Sequence, residues 1–158
     1  MKTHRIEIAD QIRDLPVINL GDVSLALLNL LGDAELTEAA ASELTSLVPM
    51  EVEVLVTPEV KAVPLAHAMS VRTKLPYVVA RKTEKAYMMN PRSKSVLSIT
   101  TQTPQQLVID GADVSKLEGK SVAIVDDVVS TGGTLESLIE LITELGGDVV
   151  ATLVVFTE

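Results

Sequence analysis

Two adjacent aspartates, Asp126 and Asp127, stand two residues ahead of the run Ser130 to Thr134 in the stretch VAIVDDVVSTGGT. These residue types divide into two chemistries. Gly132 and Gly133 permit unusual backbone angles and close approach of a ligand. Successive amides at a helix start form an anion site, and the hydroxyls of Ser130, Thr131 and Thr134 add donors. Together they make a phosphate pocket. Two carboxylates repel phosphate, so Asp126 and Asp127 must face something else, either sugar hydroxyls or a hard cation such as magnesium. A ribose 5-phosphate unit, with a phosphate at one end and a diol beside it, satisfies both halves. The plain alternative is an Asp pair that caps a turn. The T-G-G-T run that follows the pair argues for function instead. Neither G-x-x-x-x-G-K-[ST] nor G-x-G-x-x-G occurs in the chain.

The elements that must hold this loop are legible from periodicity. Lys120 to Val125 is a strand that delivers the aspartates, and Leu135, Leu138, Ile139, Ile142 and Leu145 form the stripe of a helix beginning near Gly133 and stopped by Gly146-Gly147. Asp148 to Phe156 is a closing strand. Upstream, Val52 to Val56 and Pro76 to Ala80 read as strands around a helix over Ala62 to Thr73, with Leu65, Ala68 and Met69 inward. Glu35 to Val48 is a helix with Leu36, Ala40, Leu44 and Leu47 at helical spacing. The run DVSLALLNLLGD is expected to be a helix beginning at Asp22, its N-cap, and ending at Gly32. His4 to Ala9 and Leu15 to Leu20 are short strands. Residues 81 to 95 carry five basic side chains without periodicity and read as a mobile basic loop, followed by strands over Ser95–Thr101 and Gln105–Ile109. Strands that are apolar on consecutive positions are buried on both faces. The predicted class is therefore α/β, a doubly wound, mostly parallel sheet with helices on both faces. In such a sheet ligands sit at the carboxyl ends of the strands, where Asp126 and Asp127 fall.

Composition narrows the partners. The chain has 158 residues and a net charge of −9, a balance that repels nucleic acid and acidic membranes, so neither is an expected partner. Only Tyr77, Tyr87 and Phe156 are aromatic, too few for binding single strands by stacking. Without cysteine there is neither a disulfide nor a thiolate zinc site. The first residues have no apolar signal core and no run is long enough to cross a bilayer, so a cytoplasmic protein is expected.

VAIVDDVVSTGGT resembles the 5-phosphoribosyl-1-pyrophosphate (PRPP) motif of the type I phosphoribosyltransferases. Thr57 to Ser70 is similar to that family's pyrophosphate loop and following helix. Ala80 to Lys85 resembles the arginine-lysine pair that opens its flexible catalytic loop. Leu15 to Leu28 resembles the base-covering segment of the adenine phosphoribosyltransferase-like group. The resemblance implies a single domain, with residues 1–34 as a hood over the base and residues 35–158 as the PRPP-binding core. It implies that Asp126 and Asp127 hold the ribose hydroxyls and help to place Mg2+, and that Ser130, Thr131, Gly132, Gly133 and Thr134 wrap the 5-phosphate. Glu59, Val60, Lys61 and Ala62 would border the pyrophosphate. Arg81, Lys82 and Lys85 would neutralise it as it leaves. Ile18, Leu20 and Val128 would meet the base. The implied reaction is transfer of phosphoribosyl from PRPP to a purine, adenine favoured, in a homodimer. The adenine enzymes usually present a phenylalanine and an arginine where Leu20 and Gly21 stand, and a glutamate and tyrosine where Thr101 and Gln102 stand. Xanthine, hypoxanthine or guanine therefore stay open as the base, as does a PRPP-sensing regulator without catalysis.

Overall fold

The computed structural model describes residues 2–21, 23–96 and 105–157. The chain opens with β1 (Thr3–Ile8), β2 (Gln11–Leu20) and β3 (Val23–Ala26), an antiparallel sheet in that order. Ala9 and Asp10 join the first two strands. Both take positive φ, 48° and 63°, the geometry that matches a two-residue turn to the twist of a hairpin.

β3 overturns the helix expected from Asp22 to Leu31. Ile18 pairs with Leu25 and Asn19 with Ser24, whose hydroxyl donates to the Asn19 side chain at 2.6 Å. Gly21, at φ 71°, turns the chain between the two strands. Burial then follows a period of two, since Leu28 and Leu30 are fully buried while Leu27 and Leu31 are exposed. A leucine-rich run carries both periods at once, and cross-strand pairing to β2 selects the extended one. Asp22, the expected cap, lies outside the described residues.

The first helix is α1 (Ala34–Thr45), and its cap is Asp33. Asp33 Oδ1 accepts from the Leu36 amide at 3.1 Å, and its carboxylate also takes the Arg13 guanidinium of β2 at 2.6 and 2.9 Å. That guanidinium, more than the amide, holds the Asp33 pKa down at about 2. Asp33→Ala should therefore cost about 1–2 kcal/mol in thermal or urea unfolding at pH 7. Because the native pKa lies below the unfolded one, this stabilisation is present above about pH 4 and disappears as pH falls toward 2. The gap between wild type and variant should close over that window.

The core sheet follows. It consists of β4 (Val54–Pro58), then, after α2 (Val63–Thr73), β5 (Tyr77–Ala80), and later β8 (Ser121–Val129) and β9 (Asp148–Thr157), all parallel in the order β5-β4-β8-β9. Alternate side chains of these strands enter two separate cores. Leu55, Ala123 and Val125 pack with Leu65, Ala66 and Met69 of α2 and with Leu36, Ala40 and Leu44 of α1. Val54, Val56, Val122 and Ile124 pack on the opposite face with Leu138, Leu141 and Ile142 of α3 (Gly133–Glu144). Helices therefore cover both faces, as the consecutive apolar runs require. No helix among the described residues is long and apolar enough to cross a membrane.

The segment 81–95, expected as a mobile basic loop, is partly a strand. β6 (Arg92–Val96) pairs antiparallel with β7 (Gln105–Ile109), and Lys94 reaches Glu140 and Glu144 on α3. A strand reading R-S-K-S-V has almost no apolar signature, and ion pairs to the helix take the place of buried side chains. Of the strand expected over Ser95–Thr101, only Ser95 and Val96 belong to β6, and the rest lies outside the described residues. A 3-10 turn (Gly111–Lys116) links β7 to β8.

Candidate active site

Three neighbouring parallel strands, β5, β4 and β8, end at one edge of the sheet, and each delivers a segment there. The cavity of about 560 Å³ at this edge is lined by Pro58–Ala62 after β4, Lys82 after β5, and Asp126–Leu135 at the end of β8. Leu25 and Ala26 of β3, Leu27 and Leu28 just after it, and Gln105–Leu107 of β7 close its sides.

The loop Ser130–Thr134 is built as an open anion cradle. Gly132 has φ 82°, and α3 starts directly after it with no side chain capping its first amides. Those amides therefore face the cavity without an internal partner and sit at the positive end of a 12-residue helix. A side chain at Gly132 would be strained by the backbone angle even though nothing crowds the position.

The carboxylates differ in their surroundings. Asp127 is buried, and its Oδ2 accepts no hydrogen bond. Its contact is ionic, to Lys61 Nζ at 3.0 Å. Asp126 Oδ1 accepts from the Asp127 amide at 2.9 Å. Burial, and then the neighbouring Asp127 carboxyl, push the Asp126 pKa up to about 7. Two carboxyls crowded in a half-dry site, one of them with an oxygen met only by the half-exposed Lys61 ammonium, fit a hard divalent cation. No group of three or more acids or histidines exists among the described residues to cage one. A magnesium ion would then take Asp126 and Asp127 from the protein and its remaining oxygens from a ligand and water, its usual habit.

Of the pyrophosphate segment expected from sequence, Glu59, Val60, Lys61 and Ala62 all line the cavity. The Glu59 side chain, however, points at the basic segment. Its carboxylate takes Arg81 Nε at 2.7 Å and the Lys82 amide at 2.5 Å. Burial opposes its charge, but the Lys82 amide and the Arg81 guanidinium keep its pKa below the usual value. Arg81 also donates to the Tyr87 hydroxyl and pairs by its backbone with Val108. Lys85 reaches Thr83. Of the three basic residues, only Lys82 lines the cavity, and Arg81 and Lys85 do not. Glu59 and Arg81 act here as a clamp that fixes where Lys82 stands. Glu59→Gln should cut turnover about tenfold and stability by roughly 1 kcal/mol, because a charged hydrogen bond becomes a neutral one. Steady-state kinetics and thermal unfolding of the same sample would read both.

The expected base contacts divide as well. Val128 lines the cavity. Ile18 sits across from Leu25 in the sheet, half exposed, and does not. The side chain of Leu20 and the residues Thr101 and Gln102 fall outside what the structure describes. In their place the apolar end of the cavity is formed by Leu25–Leu28, a signal hidden by the helical reading of that run. Nothing in the sequence pairs Tyr87 with Arg81.

A model of the phosphoribosyl transferase domain matches residues 29–158. The chain belongs to the phosphoribosyl transferase family. Within it, the hypoxanthine/guanine phosphoribosyltransferase of Methanothermobacter thermautotrophicus is 30% identical over 148 residues, 90% of this chain and 73% of that protein. The protein of the same description from Methanococcus maripaludis strain C6 is 32% identical over 74% of this chain. This phosphoribosyl transferase chain spans 60% of the length of that relative. The fold matches the adenine phosphoribosyltransferase of Saccharomyces cerevisiae, in complex with an imino-altritol bisphosphate and adenine, with a TM-score of 0.75 at 15% identity, covering 99% of this chain and 85% of that one.

Proposed function

We propose that this phosphoribosyl transferase moves the 5-phosphoribosyl group of PRPP onto a ring nitrogen of a purine and releases pyrophosphate. One observation carries the reading. A single cavity is lined by the amide cradle at Ser130–Thr134, the acids Asp126 and Asp127, and the segment Glu59–Ala62 with Lys82, a set whose chemistry suits a phosphate, a diol and an anionic leaving group. In this reading the cradle binds the 5-phosphate, and Asp126 and Asp127 accept hydrogen bonds from the ribose hydroxyls. Amides of the Glu59–Ala62 segment and the Lys82 ammonium border the pyrophosphate. As the C1–O bond breaks, its electron pair goes to pyrophosphate, the positive charge on the ring is met by the two carboxylates, and the ring nitrogen supplies the pair for the new C1–N bond and releases its proton to the departing pyrophosphate. Asp126 and Asp127 would hold Mg2+ together with ligand oxygens, and the ion would supply charge neutralisation at the diphosphate. Leu25–Leu28 and Val128 enclose the base and exclude water from C1. Residues 1–34 thereby act as a hood.

Hypoxanthine or guanine is the base we favour. Relatives so described reach 30–32% identity over most of this chain, against 15% for the yeast adenine enzyme. Adenine is the second reading, supported by the fold match. The test incubates the protein with PRPP, Mg2+ and single bases and follows pyrophosphate. Release with hypoxanthine or guanine supports the first reading, and release with adenine alone supports the second. PRPP binding without release on any base would replace both with a regulator. Light scattering on the same sample would report whether two copies pair.

A further inference from the structure

Lys61 makes two contacts that its place in the pyrophosphate segment does not call for. Its Nζ lies 3.0 Å from Asp127 Oδ2 and 3.3 Å from the carbonyl of Leu28, on the wall that encloses the base end. Asp127 has 7% of its side chain exposed and no hydrogen-bond donor on that oxygen, so the Lys61 ammonium is the group that balances it. Lys61 itself is 47% exposed. A flexible ammonium with half its surface in water can leave an ion pair at little cost, and a buried carboxylate can release it only to another cation or to hydrogen-bond donors.

We propose that Lys61 is an internal counter-ion that occupies Asp127 in the ligand-free protein and yields it to the ribose diol and its divalent cation. This inference rests on the PRPP reading above and concerns the same site. The same ammonium stands in the segment that borders the pyrophosphate, so its release from Asp127 delivers a positive charge to the leaving group when the sugar arrives. The contact with Leu28 ties the base end to this exchange. Lys61 is thus a positioning residue for Asp127 before binding and a ligand to the diphosphate after it.

The test uses the full chain without substrate. Mn2+ binding is measured by electron paramagnetic resonance at pH 8 in wild type and in Lys61→Met, which keeps the side-chain length and removes the charge. Losing the competing cation should tighten Mn2+ binding about tenfold, the change produced by a lost pair worth roughly 1.4 kcal/mol. A merely structural lysine would leave it unchanged or weaken it, and either result overturns the proposal. Should Lys61→Met fail to fold, wild-type protein carrying 15N-labelled lysine decides. The Lys61 ammonium signal, slowed in exchange by the pair, should be lost when Mg2+ and ribose 5-phosphate bind. Its persistence with ligand bound overturns the proposal. If ribose 5-phosphate fails to bind at all, the PRPP reading falls, and the Mn2+ result on ligand-free protein still decides the counter-ion role.

Discussion

Asp127→Asn is expected to lower kcat/KM for PRPP by about 10²–10³-fold, the scale seen when one preorganised electrostatic group is removed from a reacting centre. Asparagine keeps the volume of the buried side chain and one acceptor oxygen but lacks the negative charge that holds a divalent cation strongly or balances a positive ring. Lys61 loses its ionic partner at 3.0 Å and, being half exposed, can turn to water. The melting temperature should therefore move by no more than about 3 °C, since roughly 1 kcal/mol shifts a chain of this size by 2–4 °C. Pyrophosphate release and thermal unfolding on the same variant separate the two effects. A variant that unfolds would make Asp127 a structural residue, and one that keeps full activity would remove it from the reaction.

Asp126→Asn should do the opposite to stability. Burial raises the Asp126 pKa to about 7, above its value in the unfolded chain, so ionising it works against the fold. The stability it allows is complete below the ordinary carboxylate range and is lost as pH rises through about 7. Asparagine keeps the acceptor for the Asp127 amide, which Asp126 Oδ1 takes at 2.9 Å, and removes the charge. At pH 8 the variant should melt higher than wild type, by about 2 kcal/mol or ~6 °C, and the two should converge near pH 4. Its turnover should fall by at least about tenfold. Greater stability with lost activity is the mark of a site whose charges are kept for binding rather than for folding. Equal melting at pH 8 would mean that burial does not raise the Asp126 pKa.

The sequence made the frame of this site legible for physical reasons, and its failures have reasons too. Valine-rich runs over Val54–Val56 and Val122–Val125 can be buried only on both faces, which identifies a parallel sheet and the edge where ligands sit. The glycine before α3 marks the cradle because Gly132 takes a left-handed angle. The run after Gly21 misleads because its leucines satisfy helix and strand periods together, and only pairing with β2 decides between them. β6 is invisible because its support comes from Glu140 and Glu144, far along the chain. The family resemblance implies Arg81 and Lys85, with Lys82, at the leaving group. The structure engages Arg81 with Glu59 and Tyr87, and Lys85 with Thr83. Charge alone does not say which cation stays free, and that is decided by contacts between β4 and β5.

The most direct measurement is a crystal structure of the protein with ribose 5-phosphate and Mg2+. The phosphate should lie within hydrogen-bond distance of amides in Thr131–Thr134, with the 2- and 3-hydroxyls turned toward Asp126 and Asp127. A sugar phosphate bound at another surface, or a saturated crystal with this edge of the sheet still empty, would contradict it.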